Sequence, residues 1–260
     1  MAKITDAANM EFRPIRTILI SQPEPSSHRS PFYDLEEKWN LKIDWRPFIQ
    51  VDPVTEKEFR KYRIKPDDFT AIIFTSKNSI DHFFRICEDL RVVMPATTKY
   101  FCQTNAVANY LQKFIVYRKR KVFVGTKNIE DLHNYFMKHK ENEKFLLPTS
   151  NLGSKKVVNY LNQEGIDFKE AMMFKTVACD LNDLSDITYD MLVFFNPLGI
   201  ESLYENFPDF KQNKTRIAVF GNHTAEACKE HNLKINILAP TDKAPSMSMA
   251  IEQYLEKANK

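Results

Sequence analysis

Residues 72–84 read IIFTSKNSIDHFF, and this stretch decides how the chain folds because a similar one recurs later. Residues 192–204 read LVFFNPLGIESLY, at an offset of 120 residues that aligns Phe74 with Phe194. In both copies an apolar run of strand type leads into a polar turn and then into an amphipathic helix pattern. The recurrence of one strand–turn–helix unit predicts two similar α/β halves.

A second pair of stretches repeats in the same way. Residues 101–106 read FCQTNA and residues 220–225 read FGNHTA, at an offset of 119 residues. They begin 27 residues after Phe74 and 26 residues after Phe194, respectively. Two such corners at nearly equal spacing in each half strengthen the prediction of two related halves.

The chain between these corners alternates between strand and helix patterns. Apolar runs bounded by turn residues predict strands at 17–20, 71–74, 99–102, 121–124, 144–147, 167–176, 191–195, 216–220 and 234–237. Amphipathic patterns predict helices at 31–39, 78–90, 104–114, 128–139, 153–163, 199–206, 223–230 and 245–257. Strand alternating with helix is typical of parallel sheets flanked by helices, so the predicted fold class is α/β with two similar domains.

The second half has too few strands to form a sheet by itself. The strand at 17–20, together with an extended segment at 42–46, can complete it. We therefore predict a discontinuous α/β domain made of residues 1–46 and 178–260. Residues 52–172 form the other, inserted α/β domain in this prediction.

Two short extended segments would then run between the domains. They are residues 47–51 and 173–177, which we predict to be linker strands. Residues 41–51 alternate as one extended stretch, and Pro47 and Pro53 punctuate it, which favours an edge or crossing strand. The predicted architecture is two domains joined by a two-stranded linker, with a cleft between them.

The composition excludes several classes of protein. The 260 residues are 43% hydrophobic and 27% charged, as in ordinary globular proteins. The net charge of +3 argues against a nucleic-acid-binding face, so no nucleic-acid partner is expected. No apolar run approaches the length of a membrane-spanning helix, so no membrane partner is expected either. We see no long apolar face and expect a monomer.

The cysteines and glycines bear on the compartment and on cofactors. The four cysteines are scattered without a CxxC pair, which indicates neither a zinc site nor a disulfide framework. Residues 1–10 lack the apolar segment of a signal peptide, and both observations favour the reducing cytoplasm. The five glycines form neither GxGxxG nor a Walker loop, so nothing supports nucleotide binding by that route. No HExxH, GxSxG or paired carboxylate indicates a metal or a nucleophile at the strand ends.

The polar corners are the candidate binding residues. Ligands of open α/β sheets bind beyond the carboxyl ends of the strands, where helix N-termini offer free N–H groups and a positive dipole end. Four such helix starts around one cleft would suit a ligand that carries several carboxylates. The alternative is that the Ser, Thr and Asn side chains are plain helix caps, worth about 1 kcal/mol each. The candidates are Thr75, Ser76, Asn78, Asn105, Thr149, Ser150, Asn196, Gly199, Gly221, His223 and Thr224.

Four stretches taken together resemble the uroporphyrinogen-III synthase family. They are residues 72–78 (IIFTSKN), 192–207 (LVFFNPLGIESLYENF), 217–225 (IAVFGNHTA) and 239–254 (APTDKAPSMSMAIEQY). Their order and spacing match the family along most of the chain. The resemblance implies two α/β domains joined by a two-stranded ladder, with the active site in the cleft between them.

The resemblance also implies a reaction. Members of this family close the linear tetrapyrrole hydroxymethylbilane to uroporphyrinogen III, with inversion of the last ring and loss of water. They are lyases of tetrapyrrole (haem) biosynthesis and use no cofactor. The substrate carries many carboxylates, which agrees with the helix starts described above. A hydroxyl donor could assist the departure of water by general acid catalysis.

The family's motifs carry over in part. Thr75, Ser76 and Asn78 fit its FTSxN corner, while Gly221 and Thr224 fit its GxxTA corner.

Three departures from the motifs affect polar positions. Asn105 stands where the other GxxTA copy has Thr, and Asn196 and Leu198 replace the two serines of its FxSPSG corner. Phe174 replaces the linker Tyr whose hydroxyl is the favoured candidate to assist water loss, which leaves the catalytic residue unknown. Two hypotheses follow: an active synthase, or a diverged paralogue that binds a tetrapyrrole or another polyanion without turnover.

Overall fold

The computed structural model describes residues 12–27 and 29–259 and resolves them into two α/β units. One unit consists of the described parts of Met1–Gln50 and Val177–Lys260, and we call it the split unit. The other consists of Val51–Thr176, and we call it the inserted unit.

The described residues form eleven strands and nine α-helices. The strands are β1 (Thr17–Ile20), β2 (Lys42–Trp45), β3 (Ile49–Pro53), β4 (Ala71–Phe74), β5 (Lys99–Cys102), β6 (Val122–Val124), β7 (Phe145–Ser150), β8 (Phe168–Ala178), β9 (Met191–Phe194), β10 (Arg216–Phe220) and β11 (Ile235–Ala239). The helices are α1 (Pro31–Trp39), α2 (Glu56–Arg60), α3 (Lys77–Asp89), α4 (Asn105–Leu111), α5 (His133–His139), α6 (Lys155–Gln163), α7 (Pro197–Asn206), α8 (Asn222–Glu230) and α9 (Met247–Ala258). Among these helices, none is long and apolar enough to cross a bilayer.

The split unit is built on a parallel sheet with the strand order β11-β10-β9-β1-β2. In this sheet β1, from the start of the chain, pairs with β9, so that Leu19 lies opposite Leu192. Helices α1 and α9 pack on one face, where Leu35 and Ile251 are buried with Ile18. Helices α7 and α8 cover the other face. The sheet is therefore buried on both faces, which explains the continuous apolar strands of the sequence.

The inserted unit is built on a second sheet, with the order β3-β8-β7-β4-β5-β6. The pairs from β8 to β6 are parallel, and Phe74 at the end of β4 lies opposite Cys102 at the end of β5. Helices α3 and α4 pack on one face with Phe74, and α5 and α6 pack on the other with Phe101. All four residues of β4 are fully buried, as expected for a central strand between two helical layers.

The predicted extended stretch at 41–51 is interrupted in the structure. It forms two strands, β2 in the split sheet and β3 in the inserted sheet. Phe48 lies between them and is buried, with its ring 5.7 Å from that of Phe194 and its carbonyl accepting hydrogen bonds from Ser202 Oγ and Cys179 N. These contacts fix Phe48 in the core of the split unit, at the point where the chain passes from one sheet to the other.

The helix predicted at 128–139 begins as a 3-10 turn, Ile129–Leu132, before α5. The carboxylate of Asp131 accepts hydrogen bonds from the backbone N–H groups of Thr126, Lys127 and Asn128, at 2.9, 2.7 and 3.3 Å. The hydrogen bonds lower the pKa of Asp131, the side-chain bond from Thr126 first among them. One side chain thus gathers the loop before the helix into a tight turn.

Candidate functional site

The turns after parallel strands lie at one edge of each sheet, the carboxyl edge. In the inserted unit these turns follow β4, β5, β6 and β7, and in the split unit they follow β1, β9, β10 and β11. Except for Thr149 and Ser150, which end β7, the predicted site residues are in these turns or in the first turns of the helices that follow. Each unit by itself therefore collects its candidate residues along one edge.

The corner after β4 is closed by a capping box between two serines. Ser76 is the N-cap of α3; its Oγ accepts a hydrogen bond from Ser79 N at 3.1 Å, and Ser79 Oγ accepts one from Ser76 N at 3.2 Å. The Ser76 hydroxyl is thus a helix cap, but its own proton can still be donated to a ligand oxygen. Thr75 is half-buried and Asn78 is exposed in the first turn of α3.

At the corner after β5 the cap is a residue that the sequence analysis did not single out. Thr104 Oγ1 accepts from Val107 N at 3.4 Å, and the predicted Asn105 is the first residue of α4, with an exposed side chain. Asn105 therefore does not cap the helix, and its amide is available to solvent.

The predicted pair Thr149 and Ser150 is not at a helix start. Both residues belong to β7, and α6 begins only at Lys155. Thr149 is buried, and Ser150 Oγ accepts from Leu152 N at 3.3 Å. Because β7 extends three residues beyond the predicted strand, it carries both side chains away from the N–H groups of the helix.

Phe174 is buried beside this strand end. It lies opposite Ser150 in the β7–β8 register, and its ring stacks on that of His82 with centroids 4.9 Å apart and planes 18° apart. Arg85 donates from Nε to His82 Nδ1 at 3.4 Å and from Nη2 to the carbonyl of Met173 at 3.2 Å. A histidine and an arginine of α3 therefore surround the position where the family's tyrosine is expected.

His82 has an altered affinity for protons. Burial lowers the pKa of His82 below its ordinary value of 6.5, and the charge of Arg85 lowers it further. Since Nδ1 accepts the bond from Arg85, the ring proton of the neutral form is assigned to Nε2. The neutral imidazole can donate this proton in a hydrogen bond.

In the split unit, the corner after β9 is capped by Asn196. Its Oδ1 accepts from Gly199 N at 2.9 Å, and Pro197 is the first residue of α7. Gly199 packs closely: a Cβ at this position would lie 3.3 Å from the Phe194 ring and 3.6 Å from Ser21 Oγ. Ser21, directly after β1, is buried, and its hydroxyl has no hydrogen-bond partner within residues 12–27 and 29–259.

The corner after β10 contains three predicted site residues that differ in conformation and exposure, namely Gly221, His223 and Thr224. Gly221 has a φ of 87°, a conformation that favours glycine, and precedes α8. Thr224 is buried, with its hydroxyl donating to the carbonyl of Phe220 at 2.8 Å. His223 is exposed, and its Nδ1 lies 3.3 Å from Glu226 Oε2.

The structure adds Ser21, His82 and Arg85 to the residues that the sequence suggested. The sequence carries a weak signal for Ser21, since a hydroxyl follows the apolar run of β1 as it follows that of β4. For His82 and Arg85 it carries none, because their contacts with β8 join residues about 90 positions apart.

The fold defines the class of protein, which is a two-unit α/β protein with parallel strands and one unit inserted into the sequence of the other. Each unit has polar corners along the carboxyl edge of its sheet. Within that class the chain belongs to the uroporphyrinogen-III synthase family. The family model described as "Uroporphyrinogen-III synthase HemD" matches residues 41–248.

Solved structures agree with this fold. The chain is 18% identical to uroporphyrinogen-III synthetase of Helicobacter pylori 26695, with a TM-score of 0.59, covering 94% of this chain and 100% of that one. It is 15% identical to a mutant uroporphyrinogen III synthase of the extremely thermophilic bacterium Thermus thermophilus, with a TM-score of 0.55, covering 93% and 99%. A search of proteins with curated functions gives no significant match.

Proposed function

We propose that this chain is a uroporphyrinogen-III synthase, a lyase that closes hydroxymethylbilane to uroporphyrinogen III with inversion of the last ring and loss of water. The observation that carries the proposal is the family match over residues 41–248, most of the chain. The helix starts along both carboxyl edges support it, because a substrate with many carboxylates needs several N–H and hydroxyl donors.

The proposed binding residues act by many modest contacts. Ser76 and Asn105 have protons that can be donated to carboxylate oxygens, and the first N–H groups of α3, α7 and α8 add donors at the positive ends of the helix dipoles. A hydrogen bond to a charged group contributes about 1.5–3 kcal/mol. The remaining predicted residues, Thr75, Asn78, Thr149, Ser150, Asn196, Gly199, Gly221, His223 and Thr224, complete the proposed substrate-binding set.

The chemical task in this proposal is departure of the hydroxymethyl oxygen as water, followed by ring closure at the substituted carbon of the last ring. The leaving oxygen takes up a proton, and the closure returns one, so the net change is the loss of one water. Holding the chain so that the substituted end is attacked is a matter of orientation, which many weak contacts can supply.

The direct test is the isomer formed from freshly generated hydroxymethylbilane. After incubation and oxidation, chromatography separates the type III porphyrin from the type I isomer that forms without enzyme. We expect predominantly type III. A product mixture no richer in type III than the enzyme-free control would overturn the proposal.

A second candidate function is binding of a tetrapyrrole or another polyanion without turnover. The observation that favours it is Phe174, since a buried phenyl ring stacked on His82 cannot donate a proton. This alternative predicts that the protein binds uroporphyrinogen III tightly, measured by calorimetry, while forming no type III product. Absence of binding would count against both functions.

Replacement Phe174→Tyr tests whether this position takes part in the chemistry. A tyrosine hydroxyl that assists water loss should raise kcat by about 10-fold or more, since general acid catalysis typically contributes 10²–10⁴-fold. The matched control is Phe114→Tyr, at a partly exposed ring of the same unit. Equal rates for wild type and both variants would mean that position 174 has no direct chemical role.

The remaining expectations accompany the proposal. We propose that the protein needs no cofactor, acts on a small molecule rather than nucleic acid or membrane, and works as a monomer in the cytoplasm. Light scattering coupled to size-exclusion chromatography measures the oligomeric state, and activity after exhaustive dialysis against a chelator tests the need for a metal.

A further inference from the structure

The split unit contains a cavity of about 980 Å³ at the amino edge of its sheet. Tyr189 and Asp190, just before β9, and Thr215, just before β10, line it. The corners of this unit follow the opposite ends of the same strands. Strands of four to five residues are about 13–17 Å long, which separates the cavity from the corners.

The inner wall of the cavity is apolar. It is lined by Leu19 and Leu192 of the sheet, by Leu203 of α7 and by Phe48. All four residues belong to the buried core of the unit. Towards the mouth, the wall continues with Leu184, Ile187, Phe207 and Phe210, which are half-buried or exposed. The volume lies at the upper end of the range of small-molecule sites, about 300–1,000 Å³, and the lining has their mainly apolar character.

Two lysines give the mouth its charge. Lys211 and Lys214 are exposed and make no ion pair or side-chain hydrogen bond with any residue of the described chain. Of the two carboxylates there, Asp190 already accepts hydrogen bonds from the backbone and side chain of Thr17, at 3.0 and 3.2 Å. These bonds come from neutral groups and leave the charge of Asp190 in place, but this residue is half-buried just before β9. Among the exposed charged residues of the lining, Lys211 and Lys214 outnumber Asp209, so the mouth favours an anion.

We propose that this cavity binds an alkyl carboxylate, with its chain along the walls of Leu19, Leu192 and Leu203 and its carboxylate beside Lys211 and Lys214. The apolar walls exclude a ligand that is polar throughout, and the two lysines select an anionic head over a cationic one. The site lies within one unit and requires nothing of the proposed synthase activity.

Calorimetric titration with octanoate, decanoate and dodecanoate below their micelle concentrations tests the proposal. Each methylene that enters the walls should tighten binding about three- to fourfold, until the chain fills the cavity. Decylamine has the same chain with the opposite charge, and we expect it to bind at least 10-fold more weakly than decanoate. Absence of decanoate binding, or equal binding of decylamine, would overturn the proposal.

Two variants locate the binding. The double substitution Lys211→Glu with Lys214→Glu should weaken decanoate binding 10-fold or more, and Leu184→Trp should weaken it by filling the mouth. The matched controls are Lys57→Glu with Lys61→Glu, exposed lysines of the inserted unit, and Val116→Trp, at an exposed valine there. Circular dichroism verifies that each variant is folded. Unchanged binding in the folded charge-reversal variant would contradict the site.

Discussion

The corner after β4 and the corner after β9 have nearly the same backbone but different side chains. The N-cap Ser76 has φ −154° and ψ 167°, and the N-cap Asn196 has φ −153° and ψ 157°. Each accepts a hydrogen bond from the N–H three residues later. A serine and an asparagine thus build the same helix start, which explains how Asn196 replaces a serine of the family motif without loss of the fold.

The two corners differ in the polar side chain that lies beside the N-cap residue. In the inserted unit, Ser79 completes a reciprocal capping box with Ser76. The aligned residue in the split unit is Gly199, which has no side chain and lets Ser21, directly after β1, approach. In the corner after β4, the hydrogen bonds of the capping box are made between neighbouring serines. In the corner after β9, the buried hydroxyl of Ser21 lies beside the helix start. The Ser21 hydroxyl has no hydrogen-bond partner among the described residues.

The largest expected effects come from the aligned aromatic residues at the two strand ends. Phe74→Ala and Phe194→Ala should each lower the free energy of unfolding by about 3–5 kcal/mol, because both rings are fully buried. Hydrogen exchange followed by mass spectrometry should locate the loss in the inserted unit for Phe74→Ala and in the split unit for Phe194→Ala. If either variant lost hydrogen-exchange protection equally in both units, the two units would not have separate cores.

The cap substitutions should have smaller and unequal effects. Ser76→Ala removes both the cap and its capping box, and Asn196→Ala removes only a cap, whereas Pro197 still favours the helix start. We expect losses of about 1–2 kcal/mol for Ser76→Ala and about 0.5–1 kcal/mol for Asn196→Ala in urea denaturation. A larger loss for Asn196→Ala than for Ser76→Ala would contradict the view that the corner after β9 depends less on its own side chains.

The smallest expected effect is a difference in acid sensitivity. Burial lowers the pKa of both His82 and His139, and both belong to the inserted unit. Because each histidine has a lower pKa in the folded state, the unfolded chain binds more protons than the folded chain as the pH falls through about 6.5. The inserted unit should therefore lose stability as the pH falls below that value. His82→Phe keeps a ring against Phe174 and removes one titrating group.

Urea titrations at pH 7.5 and pH 5.5 measure this effect. The loss between the two pH values should be smaller for His82→Phe than for wild type, whereas Asn134→Gln, at an exposed neutral residue of the same unit, should leave it unchanged. If His82→Phe loses as much stability as wild type, the lowered pKa does not contribute to acid sensitivity.

Local patterns were enough to predict most strands, helices and corners. An apolar run followed by Thr75 and Ser76, or by Asn196, indicates a strand and a cap within a few residues, and the α/β fold follows from the alternation. The sequence wrongly predicts that β7 ends at residue 147, because Pro148 and the polar Thr149 and Ser150 are typical of a turn. Pairing with β8 nevertheless extends the strand through them.

The contacts of Ser21 and Phe174 could not be predicted from any local pattern. Ser21 reaches Gly199 only because β1 pairs with β9, more than 170 positions later. Phe174 meets His82 only because β8 lies on the same sheet as the strand before α3. Such contacts are set by the order of strands in the sheets, which apolar runs alone do not specify.

The strand order of the split sheet also bears on how the chain folds during its synthesis. Strands β1 and β2 leave the ribosome before the inserted unit, but β9, the second partner of β1, is made only after the whole inserted unit. At about 5–20 residues per second, the delay is on the order of ten seconds. During that time the inserted unit has its complete sheet, whereas β1 and β2 remain an unfinished edge. The nascent chain therefore exposes its earliest apolar strands longest, which is where we expect a chaperone to be needed.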